Sequence, residues 1–400
     1  MTRAVLALAM APALWGAVIP AGTEISLRLT TKIASEATDP QNDVHAMVIA
    51  PVILDGAIAL PTGAQLTGAV KQARASGDKV KAQMELVFTR IESGNYKTEI
   101  SAAVSSLENA RELVDDKGVI NGIDGSQTYS AMLAQGIAKL QANDRLSGLA
   151  AIVEGAKKAL NIADANANID YDAGIELNIR LTAPLNWKGP LNGPESRLQP
   201  VPNEAALARL VNRQPFRTVA ENPPSPSDMT NIMFIATEAQ LRAAFAKAGW
   251  SEPTVLDASS KLETARALIE SRGYKEGPMS ILLLDGQRPA MAFQKGNNTF
   301  SKRHHLRIFL RPDKFDGLPV WVCSSTHDIN IDFSDRDRTF IHKVDTQIDK
   351  ERAKVVDDLI FTGAVRAVAL VDRPDVPKSI SNATGDMLAT DGRMAVLLLQ

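Results

Sequence analysis

Apolar residues recur at every second position in stretch after stretch of this chain, and that period of two restricts its fold more than any other feature. In "GTEISLRLTTKI", from Gly22, the alternating residues are Ile25, Leu27 and Leu29; in "GIELNIRLTAPL", from Gly174, they are Leu177, Ile179 and Leu181. The two segments echo each other across 152 positions, with Gly, Glu, Arg, Leu and Thr in register. "VKAQMELVFTRI" likewise puts Val80, Ala82, Met84, Leu86 and Phe88 on one face. Successive side chains of a strand point to opposite sides, so each segment reads as a half-buried strand. "SGN" at 93–95 supplies a hairpin turn, and Pro-x-Gly turns in "IPAGT" at Ile19 and "LPTGA" at Leu60 open further strands. Many short strands joined by turns predict an antiparallel sandwich or barrel over residues 18–185.

An alanine-rich helical segment, about 130–160, interrupts these strands. Its Lys139, Asp144, Arg145, Glu154, Lys157 and Lys158 rule out simple burial in lipid. A helix with one apolar face is expected to lie on its own barrel, with contact to a partner or a membrane surface as the alternative.

The first residues, "MTRAVLALAMAPALWGA", carry one early positive charge, Arg3, and then an apolar run from Ala4 to Ala17. That run is shorter than the roughly 20 residues needed to cross a bilayer and matches the core of a signal peptide, which we place at residues 1–17. The expected address is the periplasm or cell envelope, with membrane association if the leader stays uncleaved; a short buried helix is the alternative. Cys323 is the only cysteine, so no intramolecular disulfide can form, and burial is the safest place for such a thiol. A formal charge of −2 gives no basic field for nucleic acid.

Between Pro184 and Pro226 lie nine of the 21 prolines. Such density predicts a linker over 186–227, apart from a short helix around Glu204 to Val211. From residue 228 to 400 the pattern changes to an α+β domain with a mostly antiparallel sheet. "TEAQLRAAFAKAGW" opens with a capping box, Thr237 and Gln240, and "MSILLLDGQRPAMAFQK" folds around Asp285-Gly286 as a hairpin. "VDTQIDKERAKVVDDLIFTG" predicts a helix capped by Thr346 and Asp349 and stopped by Gly363. In it, Asp349 and Glu351 complement the positive helix start.

Chemistry, if the chain has any, is expected in three strands of this half. In "SKRHHLRIFL" pleat alternation puts His304 in phase with Leu306, Ile308 and Leu310, and Arg303, His305 and Arg307 on the other face. In "VWVCSSTHDINIDF" His327 falls in phase with Ile329, Ile331 and Phe333, opposite Asp328 and Asp332. In "FIHKVD" His342 falls in phase with Phe340 and Val344, opposite Asp345. Two readings follow. His304, His327 and His342 converge as a zinc or other divalent metal site, or each is a neutral core histidine. Arg303, His305 and Arg307 form a stripe that binds an anionic ligand, or they pair with Asp328, Asp332 and Asp345 in an internal lattice.

Two resemblances add to this reading. The Pro-x-Gly turns, the "V-x-x-P-V" segment at 48–52 and the later strand pair resemble the β-barrel module of type IV secretion channel components of the VirB/TrbI kind. In that family a helical arm interrupts the barrel, and segment 130–160 occupies an equivalent place. The blocks "SDMTNIMFIATEAQLRAAFAKAGW", "RHHLRIF", "WVCSSTHDINI", "FIHKVDTQIDKER" and "TDGRMAVLLL" resemble the LssY C-terminal domain family over residues 228–400. That resemblance implies a bacterial envelope setting, beside membrane proteins of the DedA and phosphatidic acid phosphatase types. It marks Arg303, His304, His305, Arg307, His327, Asp328, His342, Asp349, Glu351 and Arg352 as positions of interest without assigning them tasks. Members fused to membrane helices differ from this chain, which carries the β domain instead. The expectation is an envelope protein that binds an anionic ligand or an envelope or membrane-protein partner; the alternative is a metal-dependent, phosphoesterase-like hydrolase with Asp328 as general base.

Overall fold

The alternation closes into a barrel. The computed structural model describes the chain except residues 1–16, 37–42, 78, 144, 256, 297, 300–301 and 335–338 and the side chains of 330–334 and 339–341; most of the leader therefore lies outside the described residues. Strands β1 (Glu24–Leu29), β2 (Asp43–Val48), β3 (Gln65–Arg74), β4 (Gln83–Ser93), β5 (Tyr96–Leu107) and β6 (Glu176–Leu181) pair antiparallel in the order β4-β3-β2-β1-β6-β5. Strand β5 pairs back with β4 and removes both edges. The in-phase residues Ile25, Leu27, Leu29, Met84, Leu86, Phe88, Leu177, Ile179 and Leu181 fill the interior as expected, while Val80 falls outside β4 and is exposed. Gly22 and Gly63, each at φ +86°, make the two Pro-x-Gly turns with a backbone that glycine adopts without strain. Gly68 answers a different need: a Cβ there would lie 2.1 Å from the Val87 carbonyl oxygen across a bulge.

The helical segment is a hairpin of α1 (Tyr129–Gln141) and α2 (Ser147–Ala159). It does not lie on the barrel as the simplest expectation had it. The Ala163 N–H donates to Glu270 Oε1 at 2.9 Å and Arg266 Nη2 donates to the Asn161 carbonyl at 3.0 Å, which ties the hairpin to a helix of the other half.

That half begins within the proline-dense stretch, which is more ordered than its composition suggests. Helix α3 (Glu204–Asn212) buries Leu207, Leu210 and Val211 against the sheet, and Arg217–Ala220, Ser225–Met229 and Leu282–Leu283 form a small sheet of their own. The main sheet comprises β7 (Ile232–Ile235), β8 (Met291–Lys295), β9 (Arg303–Phe315), β10 (Leu318–Ser334), β11 (Thr339–Val344), β12 (Val365–Asp372) and β13 (Arg393–Leu399). Its order is β8-β9-β10-β7-β13-β12, with β11 on the far half of β10 and only β7 and β13 parallel. One face packs on α4 (Glu238–Lys247) and α6 (Ile348–Phe361), the other on α3; α5 (Ala258–Ile269) lies beside the barrel's helical hairpin. Thr237 and Gln240 form the expected capping box, and Asp285 and Gly286 take φ +49° and +75° in the expected turn. The start of α6 differs. Gln347 is its cap residue and makes no side-chain cap bond, because Asp349 instead accepts from Arg352, the Thr390 hydroxyl and the Asp391 N–H.

The echoed strands are neighbours. Antiparallel pairing sets Arg28 opposite Glu176 and Glu24 opposite Arg180, so two copies of one motif complement each other. The Arg180–Glu24 pair lies in solvent at 2.9 Å, whereas Glu176 is fully buried where the domains meet. Its Oε1 takes Arg28 Nη2 and Lys295 Nζ, each at 2.8 Å, and its Oε2 takes Lys354 Nζ at 2.8 Å. Asp358 closes the cluster, accepting Lys295 at 2.8 Å and Lys354 at 2.5 Å, together with the Trp250 indole N–H at 2.9 Å. Burial acts to raise the carboxyl pKa of Glu176, yet Lys295, Lys354 and Arg28 hold it well below the usual range.

Removing one partner of such a cluster strands the rest without water. Glu176→Gln is therefore expected to cost about 3–5 kcal/mol of stability, and Arg180→Ala less than about 1 kcal/mol. Urea unfolding midpoints of the two variants against the parent check this.

Candidate functional site

The register of β9 on β10 sets His304 opposite His327, Arg303 opposite Asp328 and His305 opposite Thr326. Directly opposed residues of an antiparallel pair share a face. His304 and His327 thus join Leu306, Ile308 and Cys323 on the side covered by α6, all of these but His327 fully buried. Leu310, expected on the same face, is exposed where β9 runs on past the core. The two imidazoles stack with centroids 4.1 Å apart and planes 16° apart, and the Trp250 ring lies 6.2 Å from His304. From the first turn of α6, Glu351 brings Oε2 to 2.7 Å from His304 Nδ1.

Ligand atoms of His304, His327 and Glu351 all fall within 4.8 Å of one another. Nε2 of each histidine and Oε1 of Glu351 are buried without a hydrogen-bond partner. Burial pushes His304 down to about 4, with Lys354 adding to the effect, and His327 down to about 4, with His304 adding. It pushes Glu351 up to about 8. Each shift favours the uncharged form, because burial penalises charge on all three.

Arg303, His305 and Arg307 share the opposite face, as their phase requires, and all three are buried. Arg303 Nη1 donates to Gln294 Oε1 at 2.8 Å. Arg307 donates through Nε and Nη2 to the Ser280 carbonyl at 3.0 and 2.9 Å. Asp328 is the hub of this face: Oδ1 lies 2.7 Å from His305 Nε2, and Oδ2 lies 3.1 Å from His342 Nδ1 and 3.7 Å from Arg303. Burial acts to raise its carboxyl pKa, but the charges and hydrogen bonds of His305 and His342 hold it well below the carboxylate range.

His342 therefore does not join His304 and His327, and the metal trio expected from phase alone is corrected. Register sets Val344 opposite Asp328, so His342, in phase with Val344, shares the Asp328 face. A bulge between Asp328 and Asn330 shifts the register of the pairing at this point, an event that no single-strand pattern reveals. Asp345 lines a cleft on the histidine side, and its Oδ1 accepts from the Gln347 N–H at 2.9 Å. The side chain of Asp332 lies outside the described residues.

That cleft, about 580 Å³, opens between the two domains. Ser106, Glu108 and Asn178 stand on its barrel wall, and Lys302, His304, His327, Lys350 and Glu351 on the other. Single-strand reasoning gave Glu351 only a helix-start role. A signal was there: Glu351, Lys354 and Asp358 fall at i, i+3 and i+7, alongside the buried stripe of Val355 and Leu359.

Comparison with known proteins finds a family match over these strands. Residues 212–394 match the LssY C-terminus family. The LssY C-terminus match starts at the last residue of α3, includes β7 to β12, and contains His304, His327, Glu351 and the whole Asp328 network. A solved structure of ComB10 from the Com type IV secretion system of Helicobacter pylori is weakly similar, at 15% identity and TM-score 0.24, over 43% of this chain and 92% of that one. None of the curated proteins matches. Among the described residues no helix is long and apolar enough to cross a membrane.

Within the LssY C-terminus region, Arg307 is held by carbonyl and hydroxyl groups of Ser280. Arg307→Ala removes the charge-assisted hydrogen bonds of a buried guanidinium and is expected to cost about 1.5–3 kcal/mol. A thermal unfolding scan checks this; a free, ligand-facing arginine would give no loss.

Proposed function

We propose that the protein binds a divalent transition metal through His304, His327 and Glu351 and holds an anionic ligand over that ion in the interdomain cleft. The observation carrying this reading is the convergence of three ligand groups within 4.8 Å at a cleft wall, with unpartnered Nε2, Nε2 and Oε1 atoms. Buried polar atoms are ordinarily hydrogen-bonded, so three unpartnered ones in one place call for an occupant. Two imidazoles and a carboxylate are a donor set that zinc favours in sites with an open position. The Glu351 contact to His304 Nδ1 supports the tautomer that offers Nε2 to an ion. Lys302 and Lys350, on the same cleft wall, suit a phosphate or carboxylate better than a neutral ligand. The guanidinium stripe supports this role less well, since its groups are engaged inside the sheet.

Hydrolysis of a phosphoester is the second reading, favoured by the opening of the cleft directly onto the three ligands. A bound divalent ion supplies a water made acidic enough to act near neutral pH. Asp328 does not serve as base for it, because it faces the other side of the sheet. The apolar leader in residues 1–17 and the LssY C-terminus match support a periplasmic or envelope setting for either reading.

Elemental analysis of the full chain, purified without chelator and dialysed against zinc, tests the proposal. One ion per chain is expected, with His327→Ala weakening binding by about 100-fold or more, at or above the upper end of what the loss of an outer-shell partner costs. No bound metal in the parent, or equal binding by His327→Ala, overturns it. Inorganic phosphate binding to the zinc-loaded chain, weakened by Lys302→Ala with Lys350→Ala, checks the anion.

A further inference from the structure

Glu108 follows the last residue of β5 and stands on the barrel wall of the cleft that His304, His327 and Glu351 line from the other domain. It is oriented from behind. Ser106 Oγ donates to its Oε1 at 3.0 Å and Asn178 Nδ2 donates to the same oxygen at 2.6 Å, while its backbone N–H donates to the Glu176 carbonyl at 3.0 Å. Both side-chain donors belong to the barrel, and Oε2 takes part in neither bond. The charge of Glu108 acts on Lys302, His304 and His327 together, across the domain boundary. It is not one of the three groups whose ligand atoms lie within 4.8 Å of one another.

We infer that Glu108 is the barrel's contribution to the metal centre: a carboxylate fixed by Ser106 and Asn178 that accepts a hydrogen bond from water on the ion's open side. The inference rests on the metal reading above and adds that the centre is composite, completed only when the barrel is seated on the LssY C-terminus region. Groups that orient a metal's ligands from outside its coordination shell are ordinary parts of such sites. The seating is already secured by Glu176, whose carbonyl receives the Glu108 N–H.

The test uses cobalt(II) and the full chain, because the visible absorption of cobalt reports its coordination as well as its affinity. The parent is expected to saturate at one ion per chain. Glu108→Gln is expected to weaken cobalt binding by about 10-fold or more and to shift the absorption bands. Thermal unfolding of its metal-free form should stay near the parent's. Ser106→Ala, which keeps the carboxylate and loosens it, should give a smaller loss, and Glu108→Asp should recover part of the affinity. A Glu108→Gln protein with parental affinity and spectrum overturns the inference. If His327→Ala abolishes cobalt uptake while Glu108→Gln leaves it intact, only the role of Glu108 falls; if the parent takes up no cobalt, the metal reading falls and takes this one with it. Should Glu108→Gln fail to fold, Ser106→Ala and Glu108→Asp decide by the same two readouts.

Discussion

The carboxylate of Glu176 is the fixed point of this molecule. It has no access to water and three cations within reach, two of them, Lys295 and Lys354, from the other domain. A charge so placed is tolerable only while every partner stays in position, since losing one leaves the others desolvated and uncompensated. The cluster therefore sets how the barrel sits on the sheet and helix α6. The cleft wall follows from that seating, because Lys354 and Glu351 lie one turn apart on α6.

The sheet of the LssY C-terminus region keeps two chemistries apart by one peptide unit. His327 and Asp328 are adjacent in sequence and point to opposite sides, the first into neutral, poorly hydrogen-bonded surroundings and the second into a network of His305, His342 and Arg303. Such a strand carries both sites without crosstalk through shared side chains. The Asp328 network gathers His305, His342 and Arg303 around one carboxylate inside the sheet; the histidine pair has Nε2 atoms without a hydrogen-bond partner beside an opening. Unsatisfied buried atoms are costly, so their retention beside a cleft is where functional chemistry is most economically sought.

The barrel was legible in the chain because alternation with period two survives any change of partner. Ile25, Leu27, Leu29, Met84, Leu86 and Phe88 point inward whichever strand lies next to them. The separation of His304 from Arg303, His305 and Arg307 was legible for the same reason. What the pattern lacks is register. His342 and Val344 were placed in phase with each other correctly, but which face they share depends on Val344 meeting Asp328 and on a bulge one residue later. Glu351 was hidden differently: a carboxylate in the first turn of a helix already has a local electrostatic reason to be there, which masks a tertiary one. Within the proline-dense stretch the helix Glu204–Asn212 was legible, but the strands Arg217–Ala220 and Ser225–Met229 were not, because proline density masks short pairings that tertiary neighbours supply.

The echo between Gly22 and Gly174 ends in an asymmetry. Paired antiparallel, two copies of Glu-x-x-x-Arg neutralise each other twice, at Glu24 with Arg180 and at Arg28 with Glu176. In isolation the two pairs would be interchangeable. Here one faces solvent and the other lies beneath a second domain, so exchanging Arg28 and Glu176 would preserve their attraction yet set a guanidinium group against two ammonium groups. Handedness of meaning thus enters a duplicated sequence from its neighbours: the covered copy is committed, and the open copy alone is free to drift.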